Sequence, residues 1–184
     1  MKKMGTIDEK FIKDNIAGRG VAVILAGSDS DQKHIDNIVP ELETYGIAYR
    51  VHIASAHKQP EQVEKIIDMY NTDGRNLVYI AVAGGTDALS GMVSFHADHP
   101  VISCPPEGAV KVVNASCLTN PPGSSNAYIL RPANAARFVA QMFSHCNPDV
   151  RDKLKELRDG KITTLKEKGN EFTIAYARRE VGDD

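Results

Sequence analysis

The chain has 184 residues, of which 42% are hydrophobic and 25% charged, with a formal net charge of -2. That length suits one domain able to bury a core unaided, and the near-neutral balance supplies no basic field to attract nucleic acid. No run of about 18 apolar residues is present to span a membrane, and Cys104, Cys117 and Cys146 form neither a disulfide framework nor a CxxC metal knuckle.

The opening Met1-Lys2-Lys3-Met4-Gly5 leads into Thr6-Ile7-Asp8-Glu9-Lys10 rather than an apolar signal region, so a cytoplasmic location is expected. Residues 1–20 read as a polar extension carrying a short helix over Ile7–Ile16 and ending in the turn Gly18-Arg19-Gly20. Val21–Ala26 is a continuous apolar run, the pattern of a strand buried on both faces. Asp29–Tyr45 carries Ile35, Ile38, Val39 and Leu42 at helical spacing and stops at Gly46. Ala48–Ala54 is a second strand. Gln59–Asp73 is a second helix, with Pro60 in its first turn, where a missing N–H costs nothing. Leu77–Ala83 is a third strand, followed by Gly84-Gly85, a helix near Ala88–His96 and a short strand over Pro100–Cys104. Val110–Leu118 is expected as a helix, Pro121–Ser125 as a loop and Ala127–Leu130 as a fifth strand. Helices over Asn134–His145 and Pro148–Lys168 complete the chain. One domain is expected over residues 21–170, with a tail over 171–184.

Strands alternating with helices at this spacing imply βαβ units and a parallel sheet covered on both faces, an α/β class. Ligands of such sheets bind where the carboxyl ends of the strands open into loops. The first loop, Gly27-Ser28-Asp29-Ser30-Asp31, offers hydroxyls and a helix start suited to phosphate, and Asp31 can accept from a sugar hydroxyl. Taken alone, it is better read as a helix cap, and it lacks the GxGxxG and GxxxxGK[ST] patterns. The second loop, Ser55-Ala56-His57-Lys58, sets a proton-transfer group beside a point charge for phosphate. A surface pair at a helix start is the plain alternative. The third loop, Gly84-Gly85-Thr86-Asp87, allows backbone N–H groups to approach a ligand, or is simply a tight turn. Cys104, in Ser103-Cys104-Pro105-Pro106, has no flanking base and reads as buried filler rather than a nucleophile. Four such loops on one sheet edge weigh more than any one of them.

These four loops, in this order and at this spacing over roughly residues 20–160, resemble the PurE-type enzymes of purine biosynthesis. Those enzymes interconvert aminoimidazole ribonucleotide (AIR) and its carboxylated form (CAIR). The resemblance implies a three-layer flavodoxin-like fold and a homo-octamer with sites at subunit contacts. Its partners would be the small molecules AIR, CAIR and CO2, with no nucleic acid, membrane, metal or cofactor. It assigns the phosphate to Ser28, Ser30 and Lys58, the ribose hydroxyls to Asp31, and a supporting role to Ser55. His57 becomes the proton shuttle at the imidazole carbon, and Gly84 and Gly85, with Thr86, hold the carboxyl group.

The family has a carboxylase branch and a mutase branch. The mutases typically carry Arg after the loop histidine and a second His in the glycine loop, where this chain has Lys58 and Ala88. The carboxylases typically carry Arg-Ser-Asn where it has Gly85-Thr86-Asp87, and Asp87 beside a bound carboxylate would repel it unless turned away or protonated. The resemblance therefore favours the carboxylase, with the mutase as the alternative. A non-catalytic nucleotide-binding module on the same fold is a third reading, against which the loop histidine argues.

Overall fold

All six residues of β1 (Val21–Ala26) are buried, which requires apolar layers on both sides of the strand. The computed structural model, which describes residues 4–73, 75–85, 87–106 and 115–180, supplies them. β1 lies between β2 (Ala48–Ile53) and β3 (Leu77–Val82), and β4 (Val101–Ser103) and β5 (Ala127–Tyr128) extend the sheet in the order β2-β1-β3-β4-β5. Every pairing is parallel. This is the flavodoxin-like strand order, with its switch point between β1 and β3.

Because strand side chains alternate between faces, β1 divides its own between two cores. Ala22, Ile24 and Ala26 pack against Ile35, Ile38 and Leu42 of α2 (Gln32–Thr44) and against Ala136, Val139 and Phe143 of α5 (Pro132–Phe143). Val21, Val23 and Leu25 pack with Val63, Ile67 and Tyr70 of α3 (Pro60–Asp73) and with Leu89 and Val93 of α4 (Ala88–His96). Chain entry is set by Gly20, whose φ of +91° suits glycine, and where a Cβ would sit 2.2 Å from the Phe143 ring.

The N-terminal helix α1 (Met4–Ile16) begins before the expected Ile7 and joins the second core. Phe11 is only 2% exposed. Its ring meets Tyr70 edge-on with centroids 6.2 Å apart, and the Arg50 guanidinium sits 4.5 Å over it. A short 3-10 turn (Asp29–Asp31) precedes α2, where the sequence pattern predicts helix from Asp29. β4 and β5 are shorter than expected, and α5 starts two residues earlier, with Pro132 in its first turn. Of the helix expected over Val110–Leu118, residues 110–114 lie outside the described residues, and Ala115–Leu118 is a 3-10 turn. The last helix, α6 (Pro148–Glu180), runs past Lys168 into the expected tail. Val150 is buried under it, whereas Ile162, Leu165, Phe172 and Ile174 are exposed. Among the described residues, no helix is long and apolar enough to cross a membrane.

His52 of β2 meets the Tyr70 hydroxyl at 2.8 Å, and burial, helped by the Arg50 charge, lowers its pKa below the usual 6.5. Folding therefore favours the neutral ring. Its contribution is present above pH 6.5 and is lost as the pH falls through the lowered folded-state value. The stability gap between wild type and His52→Gln, measured by urea denaturation, should be widest above pH 6.5 and narrow on acidification. Phe11→Ala should cost about 3–5 kcal/mol in the same measurement, as expected for an aromatic side chain removed from a core. A cost near zero would mean that α1 does not dock in solution.

Candidate active site

The carboxyl ends of the first three strands are level because the sheet ladder continues one bond past each of them. Gly27 N–H donates to Val82 O at 2.9 Å, and Ala54 N–H donates to Ala26 O at 2.9 Å. Three loops therefore leave the sheet at the same height, beside the switch point. Between them lies a cavity of about 240 Å³ lined by Ser28, Ser30, Asp31, Ser55, His57 and Gly84, with Gly27, Ala56, Ala83 and Leu89.

The first loop is built by its own capping groups. Ser28 is extended (φ -155°, ψ 157°) and caps the 3-10 turn. Its Oγ accepts from Ser30 N–H at 3.3 Å, and Asp31 Oδ2 accepts from Ser28 N–H at 3.2 Å, the reciprocal arrangement of a capping box. The capping expected of this loop is thus present, yet the same side chains also face the cavity. The Ser30 hydroxyl donates to Ser28 Oγ at 3.0 Å, and both groups lie on the exposed side of the loop. Two adjacent hydroxyls of this kind can turn together toward an anionic oxygen. Burial raises the Asp31 carboxyl above the usual 3.8, and the Ser28 N–H and the nearby His34 charge offset part of that rise. Its Oδ2 is engaged by Ser28, which leaves Oδ1 available for a hydroxyl donor.

The second loop is a turn closed on Ser55. Ser55 O accepts from Lys58 N–H at 3.2 Å and from Gln59 N–H at 2.7 Å, while Ser55 Oγ accepts from Lys58 N–H at 3.3 Å. His57 lies at the crest of this turn, exposed and on the cavity wall. Lys58 is exposed beside it without lining the cavity.

Gly84 lines the cavity with His57, and Gly85 flanks it. Gly85 has φ +68°, a left-handed conformation that suits glycine, and a Cβ built there meets nothing within 4 Å. Thr86 lies outside the described residues. Asp87 does not point at the cavity: it is 1% exposed and caps α4, with Oδ1 accepting from Ser90 N–H at 2.9 Å. Its Oδ2 accepts from the hydroxyls of Ser90, at 2.7 Å, and of Ser103. The repulsion that its charge would exert on a bound carboxylate is averted by this turn into the protein. Cys104 is fully buried, as filler would be, but its Sγ lies 3.5 Å from His34 Nε2, so the base absent from its sequence neighbours is supplied across the fold by α2.

Two features escaped the sequence reading. Leu89 closes the cavity from the first turn of α4, and the Asp87 cap holds that turn. The signal for the cap was an Asp immediately before the apolar stretch of α4, but proximity to the glycine loop drew it into a ligand-side role.

A family model described as AIR carboxylase matches residues 21–164. A phosphoribosylaminoimidazole carboxylase of Treponema denticola is 38% identical over 139 residues, covering 74% of this chain and 87% of that protein. An N5-carboxyaminoimidazole ribonucleotide mutase of Methanocaldococcus jannaschii is 34% identical over 140 residues, with 74% and 87% covered. The crystal structure of Treponema denticola PurE matches with a TM-score of 0.78 at 34% identity, covering 83% of this chain and 98% of that one. With the parallel sheet, the strand-end loops and the family match all falling on the same stretch, the chain belongs to the AIR carboxylase family.

Proposed function

We propose that the protein is a phosphoribosylaminoimidazole carboxylase that reversibly joins CO2 to AIR to give CAIR. The observation that carries this reading is the single cavity holding Ser28, Ser30, Asp31, Ser55, His57 and Gly84 at the carboxyl ends of three parallel strands. The ribonucleotide phosphate takes the place of the Ser30-to-Ser28 and Ser28-to-Asp29 hydrogen bonds, with both hydroxyls turning to donate to it and the exposed Lys58 supplying charge. Asp31 Oδ1 receives a ribose hydroxyl, and Ser55 supports the turn that presents His57. The Gly84-Gly85 segment, with Thr86 beside it in sequence, receives CO2 and later the carboxylate.

The amino group of AIR makes the ring carbon electron-rich. That carbon attacks CO2, forming the C–C bond and leaving a tetrahedral carbon that still bears its proton. His57 removes this proton, the ring regains aromaticity, and CAIR results. In reverse, His57 protonates the same carbon and CO2 departs with the C–C bond broken. Proton transfer by a positioned group contributes roughly 10²–10⁴-fold, so confinement of CO2 beside the ring supplies much of the remaining acceleration. The apolar residues left exposed on α6, Ile162, Leu165, Phe172 and Ile174, support assembly into a homo-oligomer, with an octamer as the specific proposal. A cytoplasmic location accords with this chemistry.

The match to the mutase of Methanocaldococcus jannaschii and the Gly84-Gly85 pair favour a second reading, carboxyl migration from the exocyclic nitrogen of N5-carboxyaminoimidazole ribonucleotide. Supplying the pure protein with either AIR plus CO2 or the N-carboxylated substrate separates the two. Faster CAIR formation from AIR and CO2 is expected, and turnover confined to the N-carboxylated substrate would reassign the chain to the mutase branch. Neither turnover nor CAIR decarboxylation would leave only nucleotide binding. His57→Asn should retain AIR binding by calorimetry while its turnover falls by about 10²–10⁴-fold; near-normal turnover in that variant contradicts the mechanism.

A further inference from the structure

Among the described residues, Asp87 is a strand-end carboxylate buried away from the cavity, and it does more than cap a helix. Its two oxygens accept three hydrogen bonds from two different elements: the N–H and hydroxyl of Ser90 in α4, and the hydroxyl of Ser103 at the end of β4. All three residues are buried, Ser90 and Ser103 completely. The Cys117 thiol also contacts Ser103, which extends the cluster to the 3-10 turn at Ala115–Leu118. Among the described residues, no Lys, Arg or His forms an ion pair with Asp87. The carboxylate is therefore held by neutral donors and by the N-terminal end of α4, whose dipole favours a negative group.

A buried carboxylate is costly unless its lone pairs are satisfied, so this cluster tolerates little movement. Two parts of the cavity hang from it. Gly84 and Gly85 lie just before Asp87 in the chain, and Leu89, only 2% exposed, stands in the helical turn that Asp87 caps. Gly84 and Leu89 line the same cavity as His57, whereas Ser28, Ser30 and Ser55 are held by bonds within their own loops.

We propose that Asp87 is a positioning residue that, by tying the first turn of α4 to the end of β4, sets Leu89 and the Gly84-Gly85 backbone at the distance from His57 that carboxyl transfer requires. It touches no reacting atom. The catalytic half of this inference rests on the AIR–CO2 reading of the cavity; the clamp itself does not.

Asp87→Ala removes both acceptor oxygens and with them all three hydrogen bonds, whereas Asp87→Asn can still accept from Ser90 N–H and donate to the two hydroxyls. Two measurements on the full chain test the proposal. Amide hydrogen exchange reads the clamp without substrate: Ser90 and its neighbours in the first turn of α4 should lose protection in Asp87→Ala and keep it in Asp87→Asn. Steady-state CAIR decarboxylation reads the consequence. In Asp87→Ala, kcat should fall on the order of 10²-fold, the scale of a small misplacement, while KM for the nucleotide stays near wild type. Asp87→Asn should restore kcat. Unchanged exchange at Ser90 overturns the clamp. A folded Asp87→Ala variant with wild-type kcat, or equal losses in the Ala and Asn variants, overturns the positioning role. If Asp87→Ala does not fold, Ser103→Ala takes its place, with a smaller fall in kcat at constant KM expected and an unchanged kcat overturning the proposal. Wild-type protein inactive on both AIR and CAIR would refute the carboxylase reading, with the exchange experiment still deciding the clamp.

Discussion

The parallel pairing of β1 with β2 and β3 is the constraint from which the rest of the molecule follows. Val21 to Ala26 run in register with Ala48 to Ile53 on one side and Leu77 to Val82 on the other. A strand paired on both edges and buried on both faces cannot slip by one residue without exchanging its two cores. Its register fixes where Gly27 emerges, and the neighbouring strands fix Ala54 and Ala83 at the same level. Residues nearly 30 positions apart in the chain, Ser28, His57 and Gly84, thereby meet in one crevice. The site is a consequence of strand length and register before any side chain contributes chemistry.

The two ends of the sheet are finished differently. At the amino end, polar groups are consumed by the protein itself. Val21 N–H donates to Asn76 O, Asn76 Nδ2 to Gly18 O, and Asn147 Nδ2 to Arg19 O, while Arg19 pairs with Asp149. At the carboxyl end, the bonds that close the first loop are short-range and exposed: the Ser30 hydroxyl donates to Ser28 Oγ, the Ser28 hydroxyl donates to Asp29 Oδ1, and Asp31 commits one oxygen to the Ser28 N–H. Backbone order at that end comes from capping, and affinity for a ligand comes from what capping leaves over. Capping and ligand binding are therefore compatible roles for one short loop, although from sequence they look like rival readings of it.

Legibility in the sequence followed the strength of local periodicity. β1, β2 and β3 came within a residue of their observed ends because their apolar runs are bounded by turn-forming residues, and α3 because Pro60 marks its start. The strand-end rule then located the loops, and Ser28, Ser30, Asp31, Ser55, His57 and Gly84 do share a cavity. Lys58 and Gly85 stand beside it rather than on its wall. What could not be read depended on tertiary contact. Phe11 is one apolar residue in a polar helix, and only the Tyr70 and Arg50 side chains make it core. β5 is two residues long because its single neighbour, β4, offers only a short ladder. The length of α6 has no periodic signature past Leu157, since the side chains described from Arg158 to Ile174 are all exposed.

Asp87 shows the same limit in its chemical form. A carboxylate next to a glycine-rich loop has two destinations, the ligand or the protein, and composition cannot choose between them. The choice is made by Ser90, three residues on, and by Ser103, which only the pairing of β3 with β4 brings near. With three donors already satisfying it, the carboxylate exerts its influence through the backbone it holds rather than on the molecule in the cavity. Among the described residues, the part of the cavity supplied by the glycine loop and α4 carries no charged side chain, with Gly84 and the apolar Leu89 presented there. A small, uncharged, apolar reactant such as CO2 is held by confinement beside N–H dipoles rather than by ion pairing, and such a wall suits it. In the proposed reaction the anionic part of the substrate falls to the other two loops, where hydroxyls and the exposed Lys58 are found. Burying one carboxylate behind the glycine loop is what separates the two halves of the site by polarity.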